Sequence, residues 1–167
     1  MSDFSTLTER LTTCLDQYKY VVSDENILQD VLYIAYVKNP HPLRVRNLCA
    51  VLNVPVGVKD NFFAKSFFGK VRNNLLNKYG SAFLWKELEI CFVVLCEHTL
   101  FQILKDDGGK AVAEAGFSLN SMMGTCFIDK SDHDHFVHST WGIYFSGDHF
   151  KSVRETVVTW CEEQKKG

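Results

Sequence analysis

The sequence predicts an all-α domain: a helical bundle of about seven or eight helices around a buried central hydrophobic helix. Three observations carry this expectation. Residues 83–104, FLWKELEICFVVLCEHTLFQIL, are apolar on almost every side when wound as a helix, which belongs in the centre of a bundle. Prolines occur only at positions 40, 42 and 55, so the long stretch behind them is free of helix breakers. Short-period alternation of apolar and polar residues, the mark of a half-buried strand, is scarce.

Each element follows in order. Phe4, Leu7, Leu11, Cys14, Leu15 and Tyr18 fall at helical spacing and give an amphipathic first helix over 3–20. Ser23 and Asp24 offer caps for a second helix, whose stripe of Ile27, Leu28, Val31, Leu32, Ile34 and Ala35 stops near Asn39 before the prolines. Leu43 to Leu52 reads as a short third helix, broken by Pro55 and Gly57. Asp60 caps a fourth that runs to Tyr79 and ends at Gly80. The central helix closes in KDDGGK, where Gly108 or Gly109 tolerates left-handed geometry. Lys110 to Met123 follows, then a polar break DKSDHDH, a segment His135 to Phe145, and an amphipathic end helix from Gly147 to Gln164. Nothing divides the 167 residues, so 1–167 is expected to form one domain.

Composition narrows the function. The chain carries 18 basic and 20 acidic residues, a formal charge of −2, which argues against affinity dominated by phosphate neutralisation, although a local basic patch is allowed. The charges that interrupt residues 83–104 make a bilayer span expensive, so no transmembrane segment is expected. Six cysteines lack paired CxxC spacing and the N-terminus lacks a secretion signal. They read as reduced thiols of a cytoplasmic protein.

Candidate chemistry is thin. Asp132, His133, Asp134, His135 and His138, with His149 later, form a dense set of metal-ligand types, but no zinc signature such as HExxH is present. A solvated helix start with aspartates near its positive end explains the same letters. Cys126 has no base or oxyanion site that can be placed from sequence, and KDDGGK lacks the spacing of a phosphate loop. No catalytic residue, metal or cofactor is therefore expected, and the protein reads as a non-enzyme.

The segment KDNFFAKSFFGKVRNNLLNKYG, residues 59–80, is richer. Phe62, Phe63, Phe67 and Phe68 share a helix with Lys65, Lys70, Arg72 and Lys78. Rings at i, i+1, i+5 and i+6 exceed what one buried face needs. The surplus suits either a hydrophobic groove edged with positive charge, fitted to an amphipathic helix that carries an acidic residue, or single-stranded nucleic acid.

In order, these pieces resemble the Bcl-2 family, in particular its divergent viral members. Leu75, Leu76 and Gly80 precede Trp85, with Leu88 and Phe92 behind it, similar to the family's BH1 segment. Trp141, Gly147, Phe150 and Val153 resemble its BH2 segment. The resemblance implies a Bcl-2-like bundle and an anti-apoptotic protein that sequesters the BH3 helices of Bim-, Bak- or Bax-like partners in a surface groove. The groove would be lined by Phe67, Phe68, Val71, Leu75, Leu76, Trp85 and Leu88, with Arg72 and Lys86 meeting the acidic residue of the ligand. The implied location is the cytoplasm, with mitochondria reached through partners, and the same groove could support a homodimer. The reading from another class is a helical nucleic-acid-binding protein that uses the aromatic and basic helix 60–79.

Overall fold

A computed structural model describes residues 4–24, 28–37, 46–80, 88–111, 122–139 and 143–167. It contains α1 (Phe4–Asp16), β1 (Tyr20–Val22), β2 (Val31–Val37), β3 (Arg46–Asn53), α2 (Asn61–Tyr79), β4 (Leu88–Cys96), α3 (His98–Asp106), β5 (Met122–Asp129), β6 (His135–Ser139) and α4 (Ile143–Gln164). The strands form one six-stranded sheet in sequence order, β1 to β6. The pairs β3–β4 and β4–β5 are parallel and the other three are antiparallel.

The all-α expectation is therefore corrected: this is a mixed α/β fold. The second and third expected helices are replaced by β2 and β3, and the central helix by β4 with the short α3 behind it. Burial explains the difference. In β4, Leu88, Ile90, Phe92, Val94 and Cys96 face one core, whereas Cys91, Val93 and Leu95 face the other. A strand covered on both faces reads as a continuous apolar run without alternation, and periodicity cannot tell it from a buried helix. The segment ICFVV carries the β-branched and aromatic residues that favour an extended backbone.

Helices cover both faces of the sheet. On one side α2 and α3 pack Ala64, Phe68, Val71, Leu75, Leu100, Phe101 and Leu104 onto Leu48, Ala50, Leu52, Phe92 and Phe127. On the other, Leu7, Leu11 and Leu15 of α1 and Val153, Val157 and Trp160 of α4 pack onto Cys49, Val51, Val93, Cys126 and Ile128. The two helices that cross between parallel strands share a face, as right-handed crossovers between successive neighbours require. Trp160 donates its indole N–H to Thr6 Oγ1 at 3.0 Å and ties α4 to α1. Among the described residues, no helix is long and apolar enough to cross a membrane.

Some local readings do coincide with elements. The helix at Phe4–Asp16 and the one after Asp60 form where the spacing places them. Gly108 and Gly109 adopt φ of 65° and 78°, in the left-handed region that glycine enters without a Cβ penalty. A shift of register between Val31 and Tyr33 in β2 leaves Leu32 on the surface.

Candidate functional site: the outer face of the second helix and the carboxyl end of the sheet

The N-cap of α2 is Asp60, whose carboxylate accepts the backbone N–H of Phe62 at 2.9 Å and of Phe63 at 3.0 Å. This fixes the first turn and decides where the four rings go. Phe68 is fully buried and Phe67 half-buried, meeting edge to face at 5.4 Å between centroids. Phe62 and Phe63 project outward, 76% and 50% exposed, with centroids 5.6 Å apart and planes at 80°. Val56, in the connection that leads to the helix, is also exposed.

The polar residues of α2 have one sign. Asn61–Tyr79 contains Lys65, Lys70, Arg72 and Lys78 and none of the chain's 20 acidic residues. Lys65, Lys70 and Lys78 are exposed beside Asn61, Ser66, Asn73 and Asn77. Arg72 is half-buried; its Nη1 donates to Asn73 Oδ1 at 3.3 Å, and its Nε is buried without a hydrogen-bond acceptor.

Phe68, Val71, Leu75 and Leu76 lie beneath α2 in the core, and Leu88 is the buried first residue of β4. Val71, Leu75 and Leu76 therefore serve the contact between helix and sheet, a use that follows once residues 88–96 are a strand. Trp85 and Lys86 lie outside the described residues, as does Trp141 of the BH2-like segment. The feature that sequence reasoning passed over is which two rings are surplus. Phe62 and Phe63, the first two rings of the segment, are the exposed pair, whereas Phe67 and Phe68, expected in a groove, pack toward the core.

A second cluster gathers where β3, β4 and β5 end. Lys130, just after β5, reaches Glu97 Oε1 at 2.5 Å and donates to Asn53 Oδ1 at 3.0 Å, so one ammonium straps three strand ends. Asp129, the last residue of β5, has a fully buried side chain. Its Oδ1 accepts Ser131 N at 2.8 Å and Ser131 Oγ at 2.6 Å, and its Oδ2 meets His98 Nδ1 at 2.5 Å. Burial works against the charge of Asp129, but the Ser131 donors and His98 outweigh it and hold the carboxyl below its usual range. His98 is the first residue of α3 and its side chain is 56% exposed.

The histidines highlighted by the sequence do not converge. His133, at φ 59°, packs its ring 5.3 Å from Trp160 on the α1/α4 side. His138 lies against Gly109, where an added Cβ would come 2.9 Å from His138 Cβ. Cys126 is buried in mid-strand, and burial pushes its thiol far above the usual range, the opposite of an activated nucleophile. An open groove of about 580 Å³ between α1 and α4 is lined by Glu9, Arg10, Thr13 and Glu155 among others, two acidic residues against one basic. Compared with protein-family models, curated proteins and solved structures, the chain has no significant match in any of the three.

Proposed function

We propose that the protein binds single-stranded nucleic acid on the outer face of α2. The observation that carries this reading is the pairing of two solvent-exposed phenylalanines with a helix that has four basic and no acidic residues, within a chain of net negative charge. Exposed rings supply stacking platforms for unpaired bases, and lysines along the same face meet the phosphates. A duplex offers no unpaired base to stack, so the preference is for single strands. Asn61, Ser66, Asn73 and Asn77 add neutral hydrogen-bonding groups to the same surface.

The BH3-sequestering apoptosis inhibitor that the Bcl-2 resemblance implies needs a groove formed within a helical bundle. With most of that lining beneath α2, it loses its main support, and a convex helix face is a poor receptor for another helix.

The test is fluorescence anisotropy with a labelled oligothymidine of about 15 nucleotides, within the range of single-strand site sizes. Each stacked base contributes roughly 1–3 kcal/mol, so Phe62→Ala with Phe63→Ala should weaken binding about tenfold or more while leaving the circular dichroism spectrum unchanged. Absence of binding by the wild type, or equal binding by the double variant, contradicts the proposal.

A further inference from the structure

We propose that His98, Asp129 and Asp132 form a divalent-metal site at the carboxyl end of β4 and β5, independent of the α2 surface. One candidate ligand atom from each residue lies within 4.8 Å of the other two. The three come from two separate segments, the start of α3 and the β5–β6 turn, brought together by the parallel pairing of β4 with β5.

The ligands are held in place before any ion arrives. Ser131 occupies Asp129 Oδ1 twice, which leaves Oδ2 directed at His98. Asp132 Oδ1 accepts the backbone N–H of Asp134 at 2.8 Å, leaving its other oxygen for coordination. The turn that carries Asp132 is closed by His133 N to Asp129 O at 3.0 Å and Asp129 N to Asp134 O at 2.8 Å.

The separation of His98 and Asp129 is also informative. Two adjacent ligands on an ion with bonds of about 2.0–2.2 Å sit about 3.0–3.5 Å apart, so the Nδ1 to Oδ2 contact of 2.5 Å opens by about 0.5–1 Å to admit the ion, a movement that the exposed His98 ring allows. A bound ion takes the place of the shared proton: Nδ1 gives it up while Nε2 carries or takes up a proton from solvent, so the ring coordinates as the neutral Nε2–H tautomer. One imidazole and two carboxylates make a borderline-to-hard set without sulfur, suited to Zn²⁺, Mn²⁺ or Co²⁺ rather than Cu⁺. Two carboxylate charges balance the ion. His98 and Asp132 are exposed, so coordination positions beyond these three open to water.

The experiment is isothermal titration of the full chain with ZnCl₂ and MnCl₂, together with melting curves in the presence of each metal. One equivalent should bind and raise the melting temperature. His98→Ala and Asp132→Asn, both at exposed positions, should each weaken binding at least tenfold, whereas Asp148→Asn on α4 should leave it intact. Asp129 is not substituted, because its burial makes loss of folding the expected outcome. The proposal is overturned if no stoichiometric binding occurs at millimolar metal, or if both variants bind as the wild type does. Binding abolished by His133→Ala but not by His98→Ala would equally overturn it.

Discussion

Gly124 in β5 lies directly beneath the ring of Phe150 from α4: a Cβ added at position 124 would fall 2.2 Å from Phe150 Cζ. The contact seats α4 on the sheet, and both residues belong to tightly packed layers. Gly124→Ala should therefore destabilise the protein by about 1–3 kcal/mol, the usual consequence of overpacking. Denaturant unfolding measures the loss, and Phe150→Leu in the same chain should recover part of it.

Asp134 joins α3 and the residue just after α4 to the β5–β6 turn, accepting from Lys105 at 2.7 Å and from Lys165 at 3.1 Å. The Lys105 hydrogen bond, against some desolvation and with help from Lys165, lowers its carboxyl from 3.8 to about 2. A carboxyl depressed in the folded state contributes stability above its unfolded value and loses it as pH falls through the folded one. Asp134→Asn should thus reduce stability at neutral pH by up to about 1 kcal/mol, since the pair is partly solvated. It should also flatten the acid limb of the stability profile between pH 3.8 and about 2. Thermal melts at stepped pH will show whether wild type and variant converge at the acid end.

His149 is the opposite kind of switch. Asn47 Nδ2 can only donate, so His149 Nδ1, at 3.2 Å, is an acceptor, and it accepts Tyr20 Oη at 3.1 Å as well. Burial lowers the pKa of the ring below 6.5, opposed by Glu89 and Asp148. The folded state consequently binds its proton later than the unfolded chain does. Stability is complete above pH 6.5 and declines as pH falls through the folded value. His149→Gln, which keeps an acceptor and removes the titration, should abolish that decline. The ring protons of His149 followed by NMR across the same range give the folded pKa directly, and a value above 6.5 would contradict the assignment.

Thiol chemistry offers an independent check on the layers. Cys49, Cys91, Cys96, Cys126 and Cys161 are buried, and burial raises Cys96 and Cys161 to about 12. Only Cys14 is half-exposed, and burial raises its thiol too. An aromatic disulfide reagent should therefore modify at most one of the six cysteines in the native protein, slowly, and all six after unfolding. Rapid native modification of two or more would contradict the packing.

The parts of the fold legible in the sequence are those with one solvated face. Leu7, Leu11 and Leu15 repeat every four residues because α1 buries one stripe, and Asp60 marks the start of α2 because a carboxylate satisfies its first free N–H groups. The strands were opaque for the opposite reason. Ile90 and Cys91 point into different cores, so β4 shows no alternation for a period of two to reveal. The aromatic and basic character of α2 was visible, whereas the division of its phenylalanines depended on which side the sheet would occupy. His98 and Asp129 lie 31 residues apart, and only the parallel pairing of β4 with β5 makes them neighbours.

The central claim, that α2 presents a cationic and aromatic surface to single-stranded nucleic acid, is tested most directly by the salt dependence of oligothymidine binding. If three to four lysine or arginine contacts neutralise phosphates, log K should fall linearly against log salt with a slope of about −2 to −3. Lys65→Gln with Lys70→Gln should make that slope shallower by about 1.4. Binding that is indifferent to salt, or a slope unchanged by the double substitution, would contradict the account.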